Sequence, residues 1–200
     1  MRVGIDVSEH QAGFDFSAAP LDFAILRTTD GTYQDTAFEQ LLIDATRAGL
    51  DVSTYHYLRA PSEGTTVTEQ VTAALSLLDG LRFPMWIDVE SRAGLSLEDV
   101  RACHAAFLSA GVEVAGIYTT ASYWRRHMRS GLGGLRMADP AQFGNLWLAD
   151  WGTNPTVDLA ASPELPTTWP RPLGFPEPAL WQFTSRGRIG GVEVDLNLAI

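Results

Sequence analysis

Three amphipathic segments of this chain repeat the same start and stop signals, and that repetition limits the fold more than any other feature. Each segment begins with a Ser or Thr followed three positions later by an acid, which is a capping box, and each ends at a glycine. These segments cover residues 36–49, 66–80 and 96–111. Short β-branched runs lie between them, and the alternation of such runs with helices predicts βα units and a parallel sheet.

Eight short runs in total are predicted as strands. They cover residues 3–7, 23–27, 51–58, 84–89, 114–118, 146–151, 180–184 and 194–198, and a fourth helix is predicted over residues 120–129. No strong helical pattern separates the last three strands, and residues 153–178 are rich in Pro, Thr and Gly. The pattern therefore predicts an α/β fold: a single irregular TIM-like barrel, with its active face at the carboxyl ends of the strands. A doubly wound open sheet is the structural alternative.

Length and charge narrow the functional classes. The 200 residues contain no internal repeat, low-complexity tract or linker, so we expect one domain over residues 1–200. All 14 basic residues are Arg, and with 24 acids the formal net charge is −10, which argues against nucleic acid as a partner. No apolar run approaches the roughly 20 residues that a membrane span needs, and residues 1–11 do not resemble a secretory signal. The single cysteine, Cys103, excludes a disulfide within the chain.

Acidic side chains fall on the polar face of three predicted strands. Successive residues of a barrel strand point alternately into the lumen and toward the helix layer. Where every second residue is apolar and faces the helices, the polar residues between them should point into the lumen. Asp88 and Glu90 do so, about 6.6 Å apart at their Cα atoms, and the same test directs Asp6 and Asp195 inward. Two acids so close together and partly shielded from water cannot both ionise freely. One pKa should therefore rise and make that group a general acid near neutral pH.

Aromatic and amide side chains share that inward parity. An acid cluster with aromatic platforms and amides is typical of a sugar site, where rings stack on apolar sugar faces and carboxyls perform acid–base chemistry. A single acid or aromatic residue at such a position more often forms a turn, caps a helix or packs in the core. Four acids that all point inward by the alternation test favour a binding site. The predicted binding residues are Tyr55, Tyr57, Tyr118, Trp151, Gln182 and Asn197.

Other kinds of site fit the sequence less well. His56 has the outward parity of its strand and is expected to be structural, and the histidines show no paired metal spacing. The four acids could in principle hold a divalent cation, but a free acid suits glycosidic chemistry better, so no metal and no cofactor are expected. Arg125, Arg126 and Arg129 form a basic cluster that is expected to be a solvated helix face.

An ordered set of motifs resembles glycoside hydrolase family 25, the muramidases known as Chalaropsis-type lysozymes. DVSEHQ at residues 6–11 looks like the family's opening D-x-S-x-x-Q, and WIDVE at residues 86–90 resembles its D-x-E strand. The other matching segments are ILRTTDG at 25–31, YHY at 55–57, GIYT at 116–119, LWLADW at 146–151, LWQFTS at 180–185 and VDLN at 194–197. The D-x-E pair alone is a weak signal, whereas the ordered set is specific and runs nearly end to end.

The resemblance implies an eight-stranded barrel with about five helices that hydrolyses the β-1,4 bond from N-acetylmuramic acid to N-acetylglucosamine in peptidoglycan. Position by position, it implies Glu90 as the general acid and Asp88 as the residue that stabilises the positively charged centre or orients the acetamido group. Asp6 and Asp195 would be supporting carboxylates. A covalent intermediate, direct water attack and neighbouring-group participation all stay open, and two acids on one strand favour the last. Asp30 departs from the pattern, because many relatives have Glu there.

The resemblance also sets the expected partners. The partner is the glycan strand of peptidoglycan, together with a separate cell-wall-binding module or a holin-type release, and the chain is expected to be a monomer. A muramidase acts outside the cytoplasm in phage or bacterial wall lysis or remodelling, so a chain without a signal would be a phage lysin or an excised module. Two other functions stay open: a hydrolase of another N-acetylglucosamine glycan such as chitin, and a non-catalytic glycan-binding barrel.

Overall fold

Eight strands form a closed barrel in a computed structural model, which describes the backbone of residues 1–200 and every side chain except that of Leu132. Each strand pairs with the next along the chain, and the last closes on the first. The strands are β1 Arg2–Val7, β2 Phe23–Asp30, β3 Asp51–Tyr57, β4 Met85–Asp88, β5 Val114–Thr120, β6 Asn145–Ala149, β7 Leu180–Ile189 and β8 Val192–Ala199. The predicted irregular TIM-like barrel is therefore confirmed, and the open sheet is not found.

Four α-helices pack around the barrel, one at each position where the sequence predicts one, and short 3₁₀ turns supplement them. They are α1 Phe38–Arg47, α2 Val67–Leu78, α3 Leu97–Ser109 and α4 Ala121–His127. The capping boxes of α2 and α3 form as predicted: the Glu69 amide donates to the Thr66 hydroxyl at 3.2 Å, and the Asp99 amide donates to the Ser96 hydroxyl at 3.2 Å. None of the described helices is long and apolar enough to cross a bilayer.

The capping box predicted at Thr36 does not form. The Thr36 hydroxyl instead donates to the Glu9 carboxylate at 2.9 Å. The helix begins two residues later, and the Asp35 carboxylate accepts from the Ala37 amide at 3.0 Å. Asp35 is buried, and Arg27, whose Nε lies 2.8 Å from it, compensates for the buried charge. The first turn of the helix is therefore capped by Asp35, which is held by its ion pair with Arg27, and not by Thr36.

The direction of the last strand corrects the assumption of a parallel barrel. Strand β8 runs antiparallel to both β7 and β1. The chain reverses at Gly190 and Gly191, whose φ angles of 57° and 85° suit the tight turn that joins such a hairpin. The reversal brings Asp195, near the start of β8, directly opposite Asp6 near the end of β1. Both acids therefore lie at the same mouth of the barrel.

The two faces of the barrel wall are packed differently. Outward residues such as Ile5 and Ile87 are fully buried in the large aliphatic core shared with the helices. The lumen holds a separate aromatic cluster that includes Trp86, Tyr118 and Trp147. Strand periodicity therefore sorts the side chains as predicted, and the lumen floor beneath the acids is apolar.

Candidate active site

The four predicted acids meet in a small pocket at the carboxyl ends of the parallel strands. The pocket has a volume of about 130 Å³. Its lining residues are Asp6, Tyr55, Tyr57, Asp88, Glu90, Tyr118, Trp147, Gln182 and Asp195. The sequence predicted every one of these positions except Trp147, whereas the predicted Trp151 and Asn197 lie outside the lining.

Asp6 and Asp195 form a facing carboxyl pair. They are register partners across the β1–β8 ladder, and their carboxyl groups are hydrogen-bonded to each other. Burial raises the pKa of Asp6 to about 6, although donors from Asn197 and Gln182 oppose the rise. Burial and the neighbouring Asp6 charge raise the pKa of Asp195 to about 9. Both shifts favour a pair that keeps one proton between the two carboxyls at neutral pH, with the stronger rise at Asp195.

Asp88 is the most deeply buried of the four acids, and one of its oxygens is left unpaired. Its side chain is 6% exposed, and Oδ1 has no hydrogen-bond partner among the described groups. Burial, followed by the negative charges of Glu90 and Asp6, raises the pKa of Asp88 well above its ordinary value. A buried polar atom without a partner is costly, and Asp88 carries this unpaired acceptor in the wall of the pocket.

Glu90 lies at the more open side of the same strand end. Its side chain is half-buried, and its carboxyl makes no hydrogen bond to any described group of the protein. Burial and the charge of Asp6 raise the pKa of Glu90, while Arg92 opposes the rise. Glu90 therefore combines access to a ligand with a pKa shifted toward the protonated form, and both features suit a general acid.

Gln182 connects the acidic and aromatic sides of the pocket. Its Oε1 accepts hydrogen bonds from the Tyr118 hydroxyl and from Trp151 Nε1, both at 2.9 Å. Its Nε2 donates to Asp6 Oδ1 at 2.9 Å and to Asp195 Oδ2 at 3.3 Å. With both ends of the amide engaged in this way, the side chain has one orientation and fixes the groups around it.

Asn197 and Trp147 brace the pocket from below. Asn197 was predicted to bind substrate, but it is fully buried, with its Nδ2 donating to Asp6 Oδ1 at 2.6 Å and its Oδ1 accepting from Trp147 Nε1 at 2.8 Å. The structure thus places Asn197 behind the acids. Trp147 went unnoticed in the sequence, although it has the same parity as Trp151 and the alternation rule identifies it.

Trp151 stands at the rim of the site. It is 39% exposed and follows the end of β6, and its hydrogen bond to Gln182 holds the indole beside the pocket. Tyr57 lies deeper and is half-buried, with the Arg59 guanidinium 4.9 Å from its ring centroid. Both aromatic side chains therefore present a fixed face to the cleft.

A charged network outside the pocket holds the strand ends together. Arg59 donates to Asp30 Oδ2 at 2.7 Å and to Glu63 Oε1 at 2.8 Å. Glu63 Oε2 accepts from the hydroxyl of Ser91, the residue that follows Glu90, at 2.5 Å. The network links the loops after β2, β3 and β4, and neither Arg59 nor Glu63 was singled out in the sequence. Partners that are distant in sequence leave no local signal.

The outward position of His56 is confirmed. Its Nδ1 lies 2.6 Å from the Thr29 hydroxyl, its ring packs edge-on against Phe107, and burial lowers its pKa to about 4. Among the described side chains, no group of three or more His, Cys, Asp or Glu residues is arranged to hold a metal ion. The chemistry available at the mouth is that of carboxyls, phenols and amides.

Comparison with known proteins shows the family of the chain. The family model described as "Glycosyl hydrolases family 25" matches residues 5–192, nearly the whole chain. The chain belongs to that family. Lysozyme M1 from Streptomyces globisporus is 31% identical to this family 25 chain in an alignment that covers 97% of the chain. The autolytic lysozyme of Clostridium acetobutylicum is 28% identical in an alignment that covers 78% of the chain.

Solved structures of the family share the barrel. The bacterial lysozyme from Streptomyces coelicolor superposes with a TM-score of 0.73 at 28% identity, covering 99% of this family 25 chain and 91% of that structure. The chain matches only part of the length of the curated relatives. The chain spans 65% of the length of the S. globisporus protein and 48% of that of the C. acetobutylicum protein.

Proposed function

We propose that this chain is an N-acetylmuramidase, a lysozyme that hydrolyses the β-1,4 bond between N-acetylmuramic acid and N-acetylglucosamine in peptidoglycan. The observation that carries the proposal is the pair at the end of β4. A half-buried Glu90 with a raised pKa lies two residues from a buried Asp88 with an unpaired oxygen, within an aromatic pocket. The family match and the lysozyme relatives support the same chemistry.

Glu90 acts as the general acid. It protonates the glycosidic oxygen as the bond from C1 breaks, so that the leaving sugar departs as a neutral alcohol. The raised pKa favours the protonated form of Glu90, and a general acid contributes typically about 10²- to 10⁴-fold in rate. The half-buried position gives Glu90 contact with a bound glycan without full hydration.

Asp88 orients the nucleophile. The 2-acetamido N–H of the sugar in the pocket donates to Asp88, and the acetamido carbonyl oxygen attacks C1 as the leaving oxygen takes the Glu90 proton. Water then opens the resulting ring, with Glu90 as the base that restores its own proton. The unpaired Oδ1 of Asp88 supports this assignment, because an acceptor is needed only when the sugar is bound.

Asp6, Asp195 and Gln182 form the supporting structure. The Asp6 charge favours the positive charge that develops at C1 and raises the pKa of Glu90. Gln182 holds Asp6 in position and aligns Tyr118 and Trp151 on the opposite side. Acid–base groups and aromatic surfaces are thereby fixed relative to each other before the sugar binds.

The site of action that follows is the bacterial wall, outside the cytoplasm, in phage or bacterial lysis or remodelling. The net charge of −10 gives no long-range attraction to an anionic wall. We therefore expect targeting to depend on a separate wall-binding module or on a release protein of the holin type, with this barrel acting as a monomer and needing no cofactor.

The bond that is cleaved can be read from the product. Digestion of purified peptidoglycan, followed by borohydride reduction and mass spectrometry, should yield muramitol at the new reducing end. Glucosaminitol or an anhydro sugar would contradict the muramidase assignment. Release from soluble chitin oligomers but not from peptidoglycan would favour a chitinase-like enzyme, and absence of turnover on both would favour a binding barrel.

Trp151 is expected to serve the cleft and not the core. Replacing it, Trp151→Ala, should lower kcat/KM by about 2- to 10-fold, because one aromatic contact contributes roughly 0.5–1.5 kcal/mol, with little change in melting temperature. Trp124 is fully buried and provides the matched control. Trp124→Ala should cost about 3–5 kcal/mol of stability. A large stability loss in Trp151→Ala with unchanged turnover per folded molecule would show that Trp151 belongs to the core.

A further inference from the structure

A groove of about 880 Å³ lies outside the barrel, next to the catalytic pocket. Its lining includes Trp181 and Phe183 of the outward face of β7, together with Trp169 and several prolines of the segment 153–178. A regular barrel covers such a strand face with a helix, but the described chain has no α-helix between β6 and β7. The irregular segment that replaces the helix leaves the groove open to solvent.

The wall of the groove nearest the mouth is fixed by side-chain hydrogen bonds. Asn154 Oδ1 accepts from the Ser185 amide at 3.0 Å and from the Thr184 hydroxyl at 2.9 Å. Trp181 Nε1 donates to the Asp150 carbonyl at 2.8 Å. These contacts tie the loop after β6 to β7. This edge of the groove is therefore held in place by contacts within the protein.

Trp151 connects the groove to the catalytic pocket. Its side chain lines the groove, and its Nε1 is hydrogen-bonded to Gln182, which lines the pocket. A molecule that occupies the pocket and extends past Trp151 enters the groove. A ligand of the groove can thus be part of the same molecule that is cleaved.

The charge of the groove selects the chemistry of that ligand. Three acids, Asp150, Asp158 and Glu164, line it, and none of them takes part in an ion pair among the described side chains. The lining contains no Arg and no His. The remaining lining residues are Trp, Phe, Pro, Leu, Val, Ala, Gly and Thr. A segment with small apolar side chains and a free amino group fits this surface, whereas a carboxylate finds no cationic partner in it, so the carboxylates of a ligand have to face solvent.

We propose that the groove binds the stem peptide of the peptidoglycan strand being cleaved, with the amino group of its diamino acid beside these carboxylates. The inference rests on the proposed muramidase function. The peptide branches from the muramic acid whose bond is broken, so it leaves the catalytic pocket close to the scissile bond. Its small alanyl side chains suit a Trp- and Pro-lined wall, and the groove volume lies within the range of about 300–1,000 Å³ that ligand pockets occupy.

The test compares two polymers, peptidoglycan with intact stem peptides and the same glycan after an amidase has removed them. The variant Asp158→Asn/Glu164→Gln removes two exposed charges and leaves the fold intact. It should raise KM about 3- to 10-fold on the peptide-bearing polymer, with unchanged kcat and unchanged kinetics on the bare glycan. Glu113→Gln, an exposed acid at the amino end of β5, is the matched control and should change neither.

A chemical control needs no mutation. Acetylating the free amino groups of the peptide-bearing polymer should raise KM for the wild-type enzyme by a similar factor and should leave the double variant unaffected. An equal KM increase of the variant on both polymers would show that the groove binds glycan. No KM change with either substrate would show that it binds neither. A wild-type enzyme that cleaves neither polymer would refute the muramidase proposal itself, which is a separate outcome.

Discussion

Glu90→Gln is expected to lose most peptidoglycan turnover, by about 10²- to 10⁴-fold, while folding and binding glycan like the wild type. Glutamine keeps the shape of the side chain and removes only the transferable proton. The fold should tolerate the change because the Glu90 carboxyl makes no hydrogen bond to a described protein group. Rates over a pH series, glycan affinity and melting temperature, measured on the same preparation, check this result.

The pH profile adds a second criterion for Glu90. In the wild type the rate should fall on the basic side as Glu90 ionises, and that limb should be missing from the residual activity of the variant. Glu193→Gln is the control, because Glu193 is an exposed acid near the same mouth whose charge also reaches Asp195. If Glu193→Gln lost as much turnover as Glu90→Gln, loss of negative charge and not loss of the proton would be responsible.

Asp195→Asn is expected to stabilise the protein increasingly as pH rises. Burial and Asp6 raise the pKa of Asp195 from 3.8 to about 9 in the folded state. Between those two values the folded state holds a proton that the unfolded state has released. Stability therefore falls with rising pH, at up to about 1.4 kcal/mol per pH unit. Asparagine replaces the shared proton with a permanent donor to Asp6 and removes this dependence.

The gain should be small near pH 4 and about 1–3 kcal/mol at pH 8, less than the full linkage value because Asp195 is half-buried and partly hydrated. Denaturant unfolding at pH 4, 6 and 8 measures it. Glu113→Gln, far from the acid pair, should leave the slope unchanged. A stability of Asp195→Asn that falls with pH as steeply as the wild type would show that Asp195 is ionised in the folded protein.

Local rules predicted the features that depend on neighbours in sequence. Alternation along a strand is a local property, so the inward direction of Asp6, Asp88, Glu90 and Asp195 could be read without the fold. The capping boxes at residues 66 and 96 are also local and formed as predicted. The same reasoning failed at Thr36, where Glu9, 27 residues away, takes the hydroxyl.

Parity gives the face of a strand but not the depth of a side chain along the barrel axis. Asn197 faces inward as predicted, yet it lies below the acids because β8 runs antiparallel and residue 197 is further from the mouth than Asp195. Alternation could not predict the direction of β8, because side chains alternate in the same way in a parallel and in an antiparallel strand. The Gly190–Gly191 pair before it was the available signal.

The measurement that tests the account most directly compares leaving groups in two variants. A glycan substrate with an activated aryl leaving group needs no protonation to depart. It should restore most of the lost rate in Glu90→Gln, but should restore little in Asp88→Asn, in which the proton donor is intact and the nucleophile is poorly oriented. Rescue of Asp88→Asn in place of Glu90→Gln, or of neither, would contradict the assignment of Glu90 as the acid that protonates the departing oxygen.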